Sequence, residues 1–99
     1  MSRFDELGYT PRRKEIEVPG CASKVNVREL TTKEWVDALS LEAEKQKPRL
    51  VSLAVLTSSG DPVFEIDDPE VARFGQAAIN SIVLQVGEMN QAGVDAAKN

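Results

Sequence analysis

The sequence contains no histidine and a single cysteine, Cys21, among its 99 residues. The absence of histidine excludes Ser-His-Asp and Cys-His triads, imidazole proton shuttles and nearly every zinc or non-haem iron site. One cysteine forms neither a disulfide framework nor a cluster for zinc or iron–sulfur. We therefore expect no catalytic residues, no metal site and no cofactor, and we do not expect an enzyme.

Long apolar runs and positive charge are also scarce. The longest apolar run, Leu50–Leu56, is interrupted by Ser52 and is far too short to span a bilayer. The first ten residues lack the apolar segment of a signal peptide, which favours a cytoplasmic location. Twelve Lys and Arg against sixteen Asp and Glu give a net charge of −4, which disfavours binding along nucleic-acid phosphates. We expect neither a nucleic-acid nor a membrane partner.

The stretch from Asp61 to Glu70 contains the one concentration of acidic residues. A calcium loop that began at Asp61 would need an acidic residue at its third position and glycine at its sixth, where this sequence has Val63 and Ile66. A turn followed by a helix cap is the simpler interpretation. The sequence has no glycine-rich phosphate loop either, so nucleotide binding has no support.

The first regular element predicted is a β-hairpin at about residues 14–28. Acidic residues alternate with Ile16 and Val18, and Lys24–Arg28 alternates again after Pro19-Gly20, a pair suited to a type II turn. One face of the hairpin should therefore reach the core, through Ile16, Val18, Val25 and Val27. The other face places acids on the first strand and Lys24 and Arg28 on the second, which predicts cross-strand charge pairs.

Helix signals follow the hairpin. Thr31 and Glu34 have the spacing of a capping box, which predicts a helix at about 32–47 that ends before Pro48. A second helix is predicted at about 49–57. The alternative interpretation pairs Leu50–Leu56 with Val63–Ile66 as a hairpin around residues 58–61.

A long C-terminal helix is predicted at about 69–90. Asp68 and Pro69 form a helix-start signal, while Gly75 and Gly87 are places where this helix could bend or divide. Its apolar arc is about 180° wide at 100° per residue and comprises Val71, Phe74, Ala78, Ile79, Ile82, Val83, Val86 and Met89.

The predicted fold class is α+β and predominantly α-helical, with the hairpin at the N-terminal end and three or four helices after it. Residues 1–13 are predicted to be a flexible arm, residues 14–91 a single globular domain, and residues 92–99 a flexible tail.

Five residues are candidates for binding a protein partner. Trp35 and Phe64 are large anchors, which either pack in the core or act as binding hot spots. Leu84 lies outside the apolar arc, among Arg73, Asn80 and Glu88, and is either an ordinary exposed leucine or part of a second contact surface. The other two candidates, Ile79 and Val83, belong to the apolar arc. A chain of this size builds only a modest core, so self-association is also expected.

A series of short motifs follows a fixed order along the chain. In that order they are the hairpin Glu15–Arg28, Glu29-Leu30-Thr31 with Glu34, the apolar run Leu50–Leu56, the turn Ser59–Phe64, the acidic cap Asp67-Asp68, and the helix closing at Met89-Asn90. This series resembles one protein family, the tail assembly chaperones of long-tailed bacteriophages. The likeness covers about residues 14–91 and includes no catalytic signature.

This resemblance implies a small, mostly helical protein of the host cell cytoplasm. It would bind the tape measure protein, keep it soluble, help to recruit tail tube protein, and be absent from the mature virion. The alternative function is a structural head–tail connector component or minor tail subunit, which would remain in the particle.

Overall fold

A computed structural model describes residues 6–98 of the chain, with the side chains of residues 6–90. Strands β1 (Arg13–Ile16) and β2 (Val25–Arg28) pair antiparallel, with Ile16 opposite Val25. At the turn, the Cys21 amide donates to the Val18 carbonyl over 3.0 Å, and Gly20 has φ of 90°. A type II turn needs a positive φ at this third residue, so the predicted hairpin and its turn are confirmed.

The predicted cross-strand charge pairs form no ion pair among the residues described. Arg28 lies opposite Arg13, and Glu15 lies opposite Asn26. Glu15 is therefore diagonal to Arg28 rather than directly opposite it. Arg28 instead bonds Glu34 beyond the end of its strand.

Helix α1 spans Thr32–Leu39, and helix α2 spans Ala43–Ala54. The predicted capping box is confirmed, but the predicted boundary at Pro48 is wrong: the chain breaks at Ser40, and Pro48 lies inside α2. The side chain of Gln46 donates to the carbonyls of Leu39 and Leu41, which stabilises the earlier break. Continuing α2 past the proline buries four residues, and this burial outweighs the lost main-chain hydrogen bond. These residues are Leu50, Val51, Ser52 and Ala54.

The end of the apolar run combines parts of both predicted interpretations. α2 ends at Ala54, and strand β3 (Val55–Leu56) pairs antiparallel with β2, giving the sheet order β1-β2-β3. The turn predicted around residues 58–61 is present, with Gly60 at φ of 93°. It returns the chain to form a bridge between Leu56 and Pro62 rather than a second strand over Val63–Ile66.

The predicted C-terminal helix is divided in two. A 3-10 helix covers Pro69–Arg73 with Asp68 as its cap, and helix α3 covers Gln76–Lys98. Phe74 between them is extended, with ψ of 143°. The division falls next to Gly75, one of the two glycines at which the sequence predicted a break. α3 also extends beyond the predicted end at residue 90.

The core forms where α2 and α3 pack together and the inner face of the sheet meets them. Val27, Ile82 and Val86 have no exposed surface. The predicted core face of the C-terminal segment is confirmed, with Phe74 and Val83 half-buried at its margin and the other members buried. The α+β class is likewise confirmed by the three-stranded antiparallel sheet and the helices that follow it.

The described part of the predicted N-terminal arm makes specific contacts. The hydroxyl of Tyr9 and the main-chain amide of Arg12 both donate to Glu29, over 3.4 and 2.9 Å. The Arg12 guanidinium also donates to Glu29 and to the main-chain oxygen of Met89. Residues 9–12 are therefore bonded to the domain. Residues 1–5 lie outside the described part, and the flexibility predicted for residues 92–99 stays a prediction.

Candidate partner-binding surface

The segment between β2 and α1 fixes the direction in which α1 leaves the sheet. The Asn90 side chain on α3 accepts from the Leu30 amide over 3.3 Å and donates to the Leu30 carbonyl over 3.0 Å. This reciprocal pair satisfies both main-chain groups of a buried residue with one amide. On the other side, Arg12 holds the Glu29 carboxylate, and its main-chain amide is the largest cause that lowers the pKa of Glu29.

The first turn of α1 is fixed by Arg28 and Thr31. Both guanidinium ends of Arg28 bond the Glu34 carboxylate, over 2.9 and 2.8 Å, and the Thr31 amide donates to the same carboxylate over 2.9 Å. The Arg28 bond is the chief reason that the pKa of Glu34 falls to about 2. The bonds between Arg28 on β2 and Glu34 on α1 thus orient the helix that carries Trp35.

Trp35 joins α1 to α3. A Cβ built on Gly87 would lie 3.9 Å from the outer ring carbon Cη2 of Trp35, so the indole edge lies directly over this glycine. Val83 and Leu84 precede Gly87 by four and three residues, spacings that make them its neighbours on the helix surface. The half-buried ring therefore lies next to two of the other predicted binding residues.

We name this region the α1–α3 surface and define it as Trp35, Val36, Leu39, Val83 and Leu84. Leu39 follows Trp35 by one helical turn. Val36 lies three residues before Leu39 and is therefore its neighbour on the helix surface. Val36 is 54% exposed, Leu39 45% and Leu84 60%. Exposed apolar side chains at helical spacing can receive an apolar face of a partner helix.

Both helices of this surface carry charged residues. Lys33 and Asp37 on α1 form an exposed ion pair with 3.6 Å between Nζ and Oδ2. Glu88, one turn after Leu84 on α3, is exposed and has no ion pair among the residues described. Glu88 also lines a cleft with Arg12, Arg13 and Lys14, so cations of the same chain lie near its carboxylate.

The remaining two predicted binding residues lie elsewhere. Phe64 packs edge-to-face against Phe74, with 5.9 Å between ring centroids and 76° between the planes. Ile79 is only 9% exposed and belongs to the core. Phe74 and Ile79 also line a cleft of about 590 Å³ between α2 and the start of α3. The structure thus groups Trp35, Val83 and Leu84. Phe64 and Ile79 instead have packing roles elsewhere in the domain.

Sequence reasoning missed Val36 and Leu39 as surface residues. Both fit the apolar helical spacing of a core face, and we assigned them no binding role. In the structure Ala38 is the buried residue of α1, and Val36 and Leu39 are exposed. Periodicity alone does not show which apolar residues of a short helix meet the core.

Beyond this surface, polar groups near the acidic stretch have structural roles. Asp67 adopts a φ of 59°, and its carboxylate forms a two-bond pair with Arg49 over 2.6 and 2.7 Å. Its amide donates to the buried Ser52 hydroxyl, which itself donates to the Arg49 carbonyl. The Arg49 bond lowers the pKa of Asp67. This network holds a left-handed turn that few residues other than glycine adopt easily.

No group of three possible metal ligands occurs within the part of the chain that the structure describes. In the same part, no helix has the length and apolar character needed to cross a membrane. Comparison with known protein families, with curated proteins and with solved structures gives no match.

Proposed function

We propose that this chain is a tail assembly chaperone of a long-tailed bacteriophage. It binds the tape measure protein in the host cell cytoplasm, keeps it soluble, promotes assembly with the tail tube protein, and leaves before the virion matures. The proposal begins from the ordered motifs of residues 14–91, which resemble that family.

The observation that carries the proposal is the exposed apolar character of the α1–α3 surface. A chaperone for a long helical client needs apolar side chains at helical spacing that the client's apolar stripe can cover. Leu84 is 60% exposed on α3, three residues before Gly87, and the half-buried ring of Trp35 lies over that glycine. Tryptophan is one of the residue types enriched in binding hot spots.

The test is coexpression of the tagged chain with the tape measure protein of the same phage. We expect captured, soluble tape measure protein, and a large loss of capture with Leu84→Asp. Covering the 60% of Leu84 that is exposed is worth about 1 to 2 kcal/mol, roughly 5- to 30-fold in dissociation constant. The aspartate adds to this loss because its charge would be buried at the interface.

Ile66→Asp is the matched control, because Ile66 is also 60% exposed but lies in the loop before the 3-10 helix. It should capture tape measure protein as the native chain does. Equal capture by both variants would contradict the assigned surface. No capture by the native chain, together with its presence in purified virions, would contradict the chaperone proposal and favour a structural tail or connector subunit.

A further inference from the structure

The two edges of the three-stranded sheet differ in how they are covered. At the β3 edge, the Val63 amide donates to the Val55 carbonyl over 3.2 Å, and Pro62 forms a bridge with Leu56. The returning chain thus covers this edge. β1 has only β2 beside it among the residues described. An uncovered edge strand can accept a further strand.

The register shows which groups of β1 point outward. The Glu29 amide donates to the Arg12 carbonyl over 2.9 Å, which makes Arg12 a residue bonded to the neighbouring strand. Main-chain bonding alternates along an antiparallel strand, so Lys14 and Ile16 also bond β2. The amides and carbonyls of Arg13 and Glu15 therefore point away from the sheet, and they have no hydrogen-bond partner in the described part of the chain.

We propose that β1 pairs antiparallel with β1 of a second copy of this chain, around a two-fold axis at Lys14. This register places Arg13 opposite Glu15 of the second copy, and Glu15 opposite its Arg13. Each of these two pairs exchanges two main-chain hydrogen bonds, four in total. The outward main-chain groups of Arg13 and Glu15 in both copies are then satisfied, and the two side chains of each Arg13–Glu15 pair have opposite charges.

The side chains of β1 permit this register. Charged residues of one sign would repel a second copy, whereas Arg13 and Glu15 have opposite signs. Lys14 would lie opposite itself, but its ammonium group is directed to α3, 3.0 Å from Oε1 of Gln85. The long, exposed Arg13 side chain lies beside Gly60 in the single chain and turns toward the facing Glu15 on pairing.

The covered β3 edge limits the assembly to two copies. Pairing through β1 produces one six-stranded sheet, whose two outer edges are both β3. Each of these is covered by Pro62 and Val63 of its own chain. The assembly is therefore a closed two-fold dimer and not a growing array. This inference is independent of the proposed function, since it holds whether or not the tape measure protein is captured.

Sedimentation equilibrium of the full chain over a wide concentration range tests the dimer. We expect the mass to rise from 10.8 kDa towards twice that value. Glu15→Pro removes the outward amide without removing a bond to β2, because proline is tolerated on an edge strand where its nitrogen faces solvent. It should raise the dissociation constant at least tenfold while circular dichroism remains native.

Charge reversal provides a second test that leaves the backbone unchanged. Glu15→Arg alone should weaken the dimer, and the double variant Arg13→Glu/Glu15→Arg should restore it. Leu84→Asp should leave the dimer intact. A native chain that stays at 10.8 kDa up to about millimolar concentration would overturn the proposal. So would a dimer that Leu84→Asp abolishes while Glu15→Pro and Glu15→Arg leave it unchanged.

Discussion

The bonds between Arg28 and Glu34 make the stability of the domain sensitive to one carboxylate. The pKa of Glu34 falls from 4.5 to about 2, chiefly through the bond from Arg28. Its side chain is 28% exposed and that of Arg28 is 20% exposed, so solvent screens the pair only in part. A change of this size corresponds to about 3 kcal/mol of stability as an upper value, since each unit is worth about 1.4 kcal/mol.

The sign of the pH dependence follows from the lowered pKa. A carboxylate whose pKa is lower in the folded state contributes its full stability above its unfolded pKa and loses it as the pH falls through the folded pKa. The contribution of Glu34 is therefore complete above about pH 5, declines between pH 5 and pH 2, and is absent below that range.

Glu34→Gln removes the charge while leaving an oxygen that can accept the Thr31 amide. We expect this variant to lose about 2 to 3 kcal/mol at pH 7, measured by urea denaturation followed through the fluorescence of Trp35, the single tryptophan. The difference between native and variant should shrink as the pH falls from 5 to 2.

Glu17→Gln is the control, because Glu17 is exposed and has no ion pair in the described residues. It should change the stability by less than about 0.5 kcal/mol. If Glu34→Gln were equally mild, or if its difference from the native chain did not depend on pH, the ion pair would not hold α1 in the way described.

Three further predictions concern the junctions of the domain. Ile82→Asp places a charge at a position with no exposed surface and should abolish the cooperative thermal transition; an unaltered transition would contradict the assigned core. Asn90→Ala should cost about 1 to 3 kcal/mol in urea denaturation because it leaves both main-chain groups of Leu30 without a partner, whereas a neutral result would show that water replaces the amide. Gly87→Ala should stabilise α3 by about 0.5 to 1 kcal/mol with unchanged tryptophan emission, since its Cβ would meet Trp35 at an ordinary 3.9 Å; a loss of stability would mean that the ring needs the glycine.

The elements that the sequence predicted correctly depend on neighbouring residues. The capping box of Thr31 and Glu34, the turn at Pro19-Gly20 and the cap at Asp68 each need only three or four consecutive residues, so their geometry is encoded locally. The helix boundary at Pro48 could not be predicted in this way. Burial of the residues after Pro48 decides it, and burial depends on the whole fold.

The candidate surface was predictable only in part. Leu84 was identifiable because it falls outside the apolar arc of its helix, and it is exposed as that position implies. Trp35 could not be placed without knowing that its ring lies over Gly87, a contact between residues 52 positions apart in sequence. Val36 and Leu39 look like core residues in the sequence, and only tertiary packing exposes them.

The hydrogen bonds from Arg12 to Met89 and between Leu30 and Asn90 also have a consequence for folding kinetics. They join residues 77 and 60 positions apart, so they close large loops and form late, after the hairpin and the capped helix. The same bonds connect β1, the entry to α1 and the middle of α3 into one cooperative unit. In native-state hydrogen exchange, the amides of these three segments should open together, because release of α3 near Asn90 frees the other two.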